Sequence, residues 1–285
     1  MALPKNLHDF DLNALNFESK IKAKPEKKPQ FSIIYGKGGI GKSSAACYSP
    51  DPIIIPVGKE TGAEMMCVPK FPNHHDMELK PVDHVFAALS WLIKAEHTRK
   101  TVIIDNVGSF REAVDEDVEV SNPNVDLKAF GKGSALSYQY WTALLSSIDS
   151  LMKKRGLNVI LLAHDGAYNV SLQDGSYYQK ISVNAQRGEN TNVMGLLEAR
   201  AHNVFYMTNE ASVITVKDNF GQKKKIAAAG NVNRTIYTKP SGQFFAKSRV
   251  NLDDHYDISD SGSEEELLKD LSNPDIIRFW SDVYR

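Results

Sequence analysis

Short, fully apolar runs alternate along the chain with longer segments of helical period. "FSIIY" (Phe31–Tyr35), "PIIIPV" (Pro52–Val57), "TVIID" (Thr101–Asp105) and "NVILLAH" (Asn158–His164) lack the polar alternation of a half-exposed strand. Strands of that kind are buried on both faces, the condition of a parallel sheet with helices on each side. Between them, "VFAALSWLI" places Val85, Leu89, Leu92 and Ile93 on one helical face. The clearest helix is "SALSYQYWTALLSSIDSLMKKRG", where Tyr138, Trp141, Leu144, Leu145, Ile148, Leu151 and Met152 recur at steps of three and four. Lys153, Lys154 and Arg155 suit its negative C-terminal end, and Gly156 stops it. "NVFYM" (Asn203–Met207), "SVITVK" (Ser212–Lys217) and "RTIYTKPSGQFFAKSRV" follow without intervening helices. The expected fold is α/β, a mostly parallel sheet flanked by helices with an antiparallel hairpin extension.

The same pattern divides the chain into three parts. Residues 1–29 are polar and lysine-rich, with Pro25 and Pro29 set against a continuous helix, and read as a flexible arm. Phe10, Leu12, Leu15 and Phe17 give that arm a short apolar segment able to dock on a neighbour. Residues 30–251 form the core. Residues 252–285 form an acidic tail with a helix: Ser263 and Glu266 make a capping box, and Asn273 with Pro274 opens a second start. Ile276, Trp280, Val283 and Tyr284 would line its apolar stripe. Within the core, the polar, tyrosine- and asparagine-rich stretch Asp165–Asn192 is expected to be a long functional loop.

Composition narrows the class. Of the 285 residues 42% are apolar and 24% charged, as in ordinary globular proteins. No basic-then-apolar leader opens the chain and no run is long enough to span a bilayer, so a cytoplasmic protein without a membrane partner is expected. Cys47 and Cys67 have no metal or disulfide spacing, and His74–His75 lack a recognisable second ligand pair. The net charge of −1 hides an asymmetry, since from Leu252 onward ten acids face only Lys269, Arg278 and Arg285. A mildly basic body with an acidic tail fits both a nucleic-acid binder and a neutral enzyme with a solvated tail.

The chemistry concentrates in "IIYGKGGIGKSSAAC". Gly36 to Ser43 spells Gly-x-x-x-x-Gly-Lys-Ser between a strand and a helix start, the arrangement whose backbone amides cradle phosphates. Gly36, Lys37, Gly38, Gly39, Ile40, Gly41, Lys42, Ser43 and Ser44 are therefore the candidate nucleotide-binding residues, with ATP and Mg²⁺ as the implied ligands. Lys42 would reach the β- and γ-phosphates, and Ser43 with Asp105 would hold the metal. Glu60, just past the second strand, is the candidate base for the attacking water, and His164, ending the fourth, the candidate γ-phosphate sensor. The same stretch also fits Lys-Gly-Gly-x-Gly-Lys-Ser, in which Lys37 would act across a dimer.

The order of these parts resembles the RecA-like ATPase core. "YGKGGIGKSS", "VIIDN", "FGKGSALSYQYW" and "GLNVILLAH" resemble more closely the phage-encoded RecA-like ATPases that accompany single-strand annealing proteins, over roughly Phe31 to Val250. That resemblance implies ATP hydrolysis in DNA recombination or replication, self-association into a ring or filament, and action on single-stranded DNA in the infected host's cytoplasm. By it, the loops Arg111–Lys132 and Asp165–Asn192 would face DNA, with Tyr168, Tyr177 and Tyr178 stacking on bases and Lys180 and Arg187 on phosphates. Lys223, Lys224 and Lys225 form a further cationic cluster in a hairpin turn. Lys247 and Arg249 in "FAKSRV" would be fingers reaching a neighbour's nucleotide. Two alternatives stay open: a ParA/MinD-like dimeric switch using Lys37, and a nucleotide-gated adaptor whose Trp280-bearing tail recruits an annealing or single-strand-binding protein.

Overall fold

The computed structural model describes residues 16–21, 28–59, 62–123, 132–188, 191–209, 213–217, 223–227, 234–258 and 271–285. Strands are β1 (Phe31–Gly36), β2 (Pro52–Pro56), β3 (Thr101–Asp105), β4 (Asn158–Ser171), β5 (Tyr177–Val183) and β6 (Asn203–Asn209), then β7 (Val213–Lys217), β8 (Lys223–Ala227), β9 (Arg234–Tyr237) and β10 (His255–Ile258). Beyond a single turn at Phe17–Lys20, the helices are α1 (Lys42–Cys47), α2 (Pro81–Lys94), α3 (Val107–Ser121), α4 (Lys132–Arg155), α5 (Val193–Arg200) and α6 (Pro274–Val283). The main sheet runs β10-β9-β6-β1-β4-β3-β2. Its centre, β6-β1-β4-β3-β2, is parallel, and β9 and β10 add antiparallel strands at one edge. β7 and β8 pair with each other. This is the α/β architecture that the apolar runs imply.

Side chains alternate across the sheet and build two cores. Phe31, Ile33 and Tyr35 of β1, with Val102 and Ile104 of β3 and Val159 and Leu161 of β4, face α2 to α5. Ile34, Ile103, Ile160 and Leu162 face the other way, toward Ala45 and Ala46 of α1 and Ile276, Phe279, Trp280 and Val283 of α6. The first face carries four helices. The second depends on a six-residue helix and on the last helix of the chain.

The tail is therefore structural on two counts. β10 pairs residue for residue with β9 inside the main sheet. Helix α6 buries Phe279 and Trp280, and the Asn273 side chain caps it by accepting from the Asp275 and Ile276 amides. The Ser263–Glu266 capping box, Glu60 and the apolar residues Phe10, Leu12 and Leu15 lie outside the described residues.

Two expected loops are regular structure instead. Residues 107–121 form α3, with Arg111 paired to Asp115 one turn on, so much of the first DNA-facing segment is helical. Beyond His164, β4 continues to Ser171 and returns antiparallel as β5. The reason is local: "QDGS" supplies a turn in which Gly175 has a φ of 83° and the Asp174 carboxylate accepts from the Ser176 amide at 2.9 Å. Lys223–Lys225 likewise open strand β8 rather than occupying a turn. Among the described residues no helix is long and apolar enough to cross a membrane.

Candidate nucleotide-binding site

The phosphate-binding loop sits at the C-terminal edge of the parallel strands. β1 delivers the chain to Gly36, where a β-carbon would overlap the Met207 carbonyl of β6, so only glycine lets the two strands run this close. Gly39 and Gly41 adopt φ of 73° and 96°, the left-handed region glycine enters without strain, and Gly41 turns directly into α1. Lys37, Gly38 and Gly39 are exposed at the loop tip.

Lys42 is buried, and its ammonium donates to the Gly36 carbonyl at 3.0 Å and the Lys37 carbonyl at 2.8 Å. The bonds arch the side chain back over the loop, with its charge at the mouth where phosphate oxygens would enter. Ser43 Oγ donates to Asp105 Oδ2 at 2.7 Å. Asp105 ends β3 and is 4% exposed. A hydroxyl and a carboxylate in contact at the end of a phosphate loop fit Mg²⁺, which uses one or two protein oxygens and completes its shell with phosphate and water. Among the described residues no group of three or more His, Cys, Asp or Glu could hold a metal without such help. The nearby Cys47 thiol is pushed up to about 12, first by burial and then by the Asp105 charge, so it is an inert core residue.

His164 stands at the junction of two structures. Its backbone pairs with Gly36 in the last parallel register position, and from Asp165 onward β4 pairs only with β5. A β-carbon on Gly38 would lie 3.6 Å from His164 Cε1, and one on Gly108 would lie 3.9 Å from its Cδ2. The imidazole thus lies between the phosphate loop and the start of α3, which Asn106 caps by accepting from the Ser109 amide at 3.0 Å. Strand, loop and hairpin meet at one side chain.

The structure brings Lys42, Ser43, Asp105 and His164 together. It places Lys247 and Arg249 elsewhere. Lys247 bridges Val204, near the start of β6, and its ammonium donates to the Glu198 carbonyl at 2.6 Å, at the C-terminal end of α5. The Arg249 amide donates to Asn203 Oδ1 at 3.2 Å, beside Ser32 at the beginning of β1. Both lie at the sheet edge opposite the loop, out of reach of this chain's own nucleotide site.

Two contacts to the loop were not legible as motifs. Arg234, the first residue of β9, reaches Gly41: a β-carbon there would sit 2.5 Å from its Nη1. Trp280 of α6 donates its indole N–H to the Ala45 carbonyl at 2.6 Å, a carbonyl in the last turn of α1 that also accepts from the Tyr48 amide at 3.4 Å. Its burial removes Trp280 from any surface a partner could use.

Among curated proteins no sequence matches the chain. The profile of a family of AAA domains covers residues 28–250, from just before β1 to the last residues before the tail, and the chain belongs to that family of AAA-type P-loop ATPases.

Proposed function

We propose that the chain hydrolyses ATP with Mg²⁺ and uses the cycle to control its grip on single-stranded DNA, as a self-associating ATPase of phage recombination or replication. The observation that carries this reading is the unbroken path of β4. The strand runs from the sheet centre, past His164 against the phosphate loop, into a hairpin that exposes aromatic side chains. At the hairpin end Tyr177 is 68% exposed and Tyr178 38%, and successive strand residues point to opposite faces. Exposed aromatic rings offer stacking platforms for bases.

Behind those rings the hairpin is stiffened. The Arg187 guanidinium lies 4.0 Å over the Tyr168 ring and the Lys180 ammonium 5.9 Å over that of Phe245. Ser182 donates to the Glu198 carboxylate at 2.5 Å, and burial raises that carboxyl above its usual range. Tyr168 and Arg187 therefore support the hairpin base, leaving Tyr177 and Tyr178 as the contact residues.

When bound, Mg²⁺ would neutralise charge on the β- and γ-phosphates. The chain's own part is to orient: the loop amides and Lys42 hold the phosphates, Ser43 and Asp105 the metal, and His164 lies where a change at the loop reaches β4. Glu60 is the proposed base. Self-association through the N-terminal arm, with Lys247 or Arg249 presented to a neighbour, completes this reading. An annealing or single-strand-binding partner would have to use the acidic stretch or outer face of the tail, since Trp280 is interior.

Fluorescence anisotropy of a labelled oligo-dT tests the proposal. Affinity should differ between Mg·ADP and a non-hydrolysable ATP analogue, and Tyr177→Ala with Tyr178→Ala should weaken it about tenfold or more. No binding in any nucleotide state would refute the DNA reading and leave nucleotide binding intact.

A further inference from the structure

The phosphate loop has two flanks, and the sequence motifs account for only one. On the β3–β4 side stand Asp105, bonded to Ser43, and His164, against Gly38. On the other side β6 continues past the end of β1, from Tyr206 opposite Tyr35 to Asn209. β9 pairs with that overhang, and Arg234 lies opposite Asn209 in the register. The antiparallel extension thus brings a half-buried guanidinium level with the loop. Met207 Cε lies on the same spot, 3.7 Å from where a Gly41 β-carbon would be.

We infer that Arg234 is a nucleotide-binding residue, engaging the α- and β-phosphates from the flank opposite the metal. The inference rests on the ATP reading above and assigns a residue to it that no motif contains. Ser43 and Asp105 would hold the metal that neutralises the charge of the terminal phosphates, which would assign the γ end of the nucleotide to the β3–β4 flank. The α end then points toward Gly41 and β9. A planar guanidinium there can take two phosphate oxygens through one rigid fork, a fixed geometry that an ammonium lacks.

The same geometry gives Gly41 a second reason to be glycine. Its φ of 96° disfavours any side chain, and Arg234 fills the space a β-carbon would need. Gly41 is thus small so that a cation from a distant strand can lie against the loop.

Calorimetric titration of the full chain with Mg·ADP and with a non-hydrolysable Mg·ATP analogue tests this. Arg234→Ala should weaken both by a similar factor of about ten or more, because both nucleotides carry the phosphates it touches. Arg234→Lys, which keeps the charge without the fork, should fall in between, and Arg234→Gln keeps the first three carbons and a polar end should the alanine variant fold poorly. The melting midpoint without nucleotide should match wild type for the variants used. Unchanged ADP affinity in Arg234→Ala and Arg234→Gln overturns the assignment, as does a loss confined to the ATP analogue, which would move the guanidinium to the γ-phosphate. An affinity loss that merely tracks a lowered melting midpoint also overturns it. Wild-type protein that binds neither nucleotide overturns the ATP reading itself, a result distinct from unaltered variants of a protein that binds both.

Discussion

The two sides of the phosphate loop are built from different material. The β3–β4 flank is made of residues at the ends of central parallel strands: Asp105 touching Ser43, and His164 against Gly38. The opposite flank is made of late-arriving parts, Arg234 on an added antiparallel strand and Trp280 on the last helix, bonded to Ala45. In the proposed function the first serves metal binding and sensing. The second serves anchorage and support. A loop whose own helix is only six residues long needs packing from elsewhere, because such a helix is not stable alone.

This division can be broken most sharply from the supporting side. Trp280→Ala removes a side chain only 2% exposed and leaves the Ala45 carbonyl only the Tyr48 amide at 3.4 Å, so unfolding in urea should show a loss of about 3–5 kcal/mol. A loss under 1 kcal/mol would mean that the tail merely rests on the core. The chemical side should behave in the reverse way. Lys42→Ala should lower hydrolysis by roughly a hundredfold or more while leaving the urea midpoint near wild type. Lys37→Ala, at the exposed loop tip, should cost far less; a loss equal to that of Lys42→Ala would favour the dimeric-switch reading.

A smaller effect belongs to neither flank. His84, in the first turn of α2, and His74, in the turn that precedes it, are 3% and 5% exposed, and burial holds both below the usual imidazole range, with His75 and His84 adding to the effect on His74. A base whose folded pKa is depressed contributes stability that is fully present above the unfolded value of about 6.5 and is lost as pH falls through the folded one. Stability should therefore decline below about pH 6.5, and His84→Leu should flatten that decline in thermal melts recorded from pH 7.5 to 5. An unchanged slope would place the sensitivity elsewhere.

The comparison also separates what local pattern reveals from what it hides. β1, β3 and α4 were legible because apolar period and a stop at Gly156 are properties of neighbouring residues. Ser43 and Asp105 were legible as a pair because the motif specifies what each must do once strands are parallel. In sequence the β4–β5 hairpin reads as a loop because its polar composition outweighs the Asp174–Gly175 turn at its tip, although that signal is present. Arg234 gave no local signal: an arginine opening a short strand reaches the loop only through the pairing of β9 with β6. Trp280 was legible as part of an apolar stripe, but a stripe does not say which surface it covers, and the surface proved to be the chain's own α1.

The claim that unites these parts is that the loop and the hairpin communicate through β4 at His164. The steady-state rate of ATP hydrolysis, measured while unlabelled single-stranded oligonucleotide is titrated into the full chain with Mg²⁺, tests it most directly. The account predicts a rate that rises to saturation with oligonucleotide, and a response lost in the Tyr177→Ala, Tyr178→Ala double variant whose basal rate persists. A basal rate that no oligonucleotide alters would contradict it.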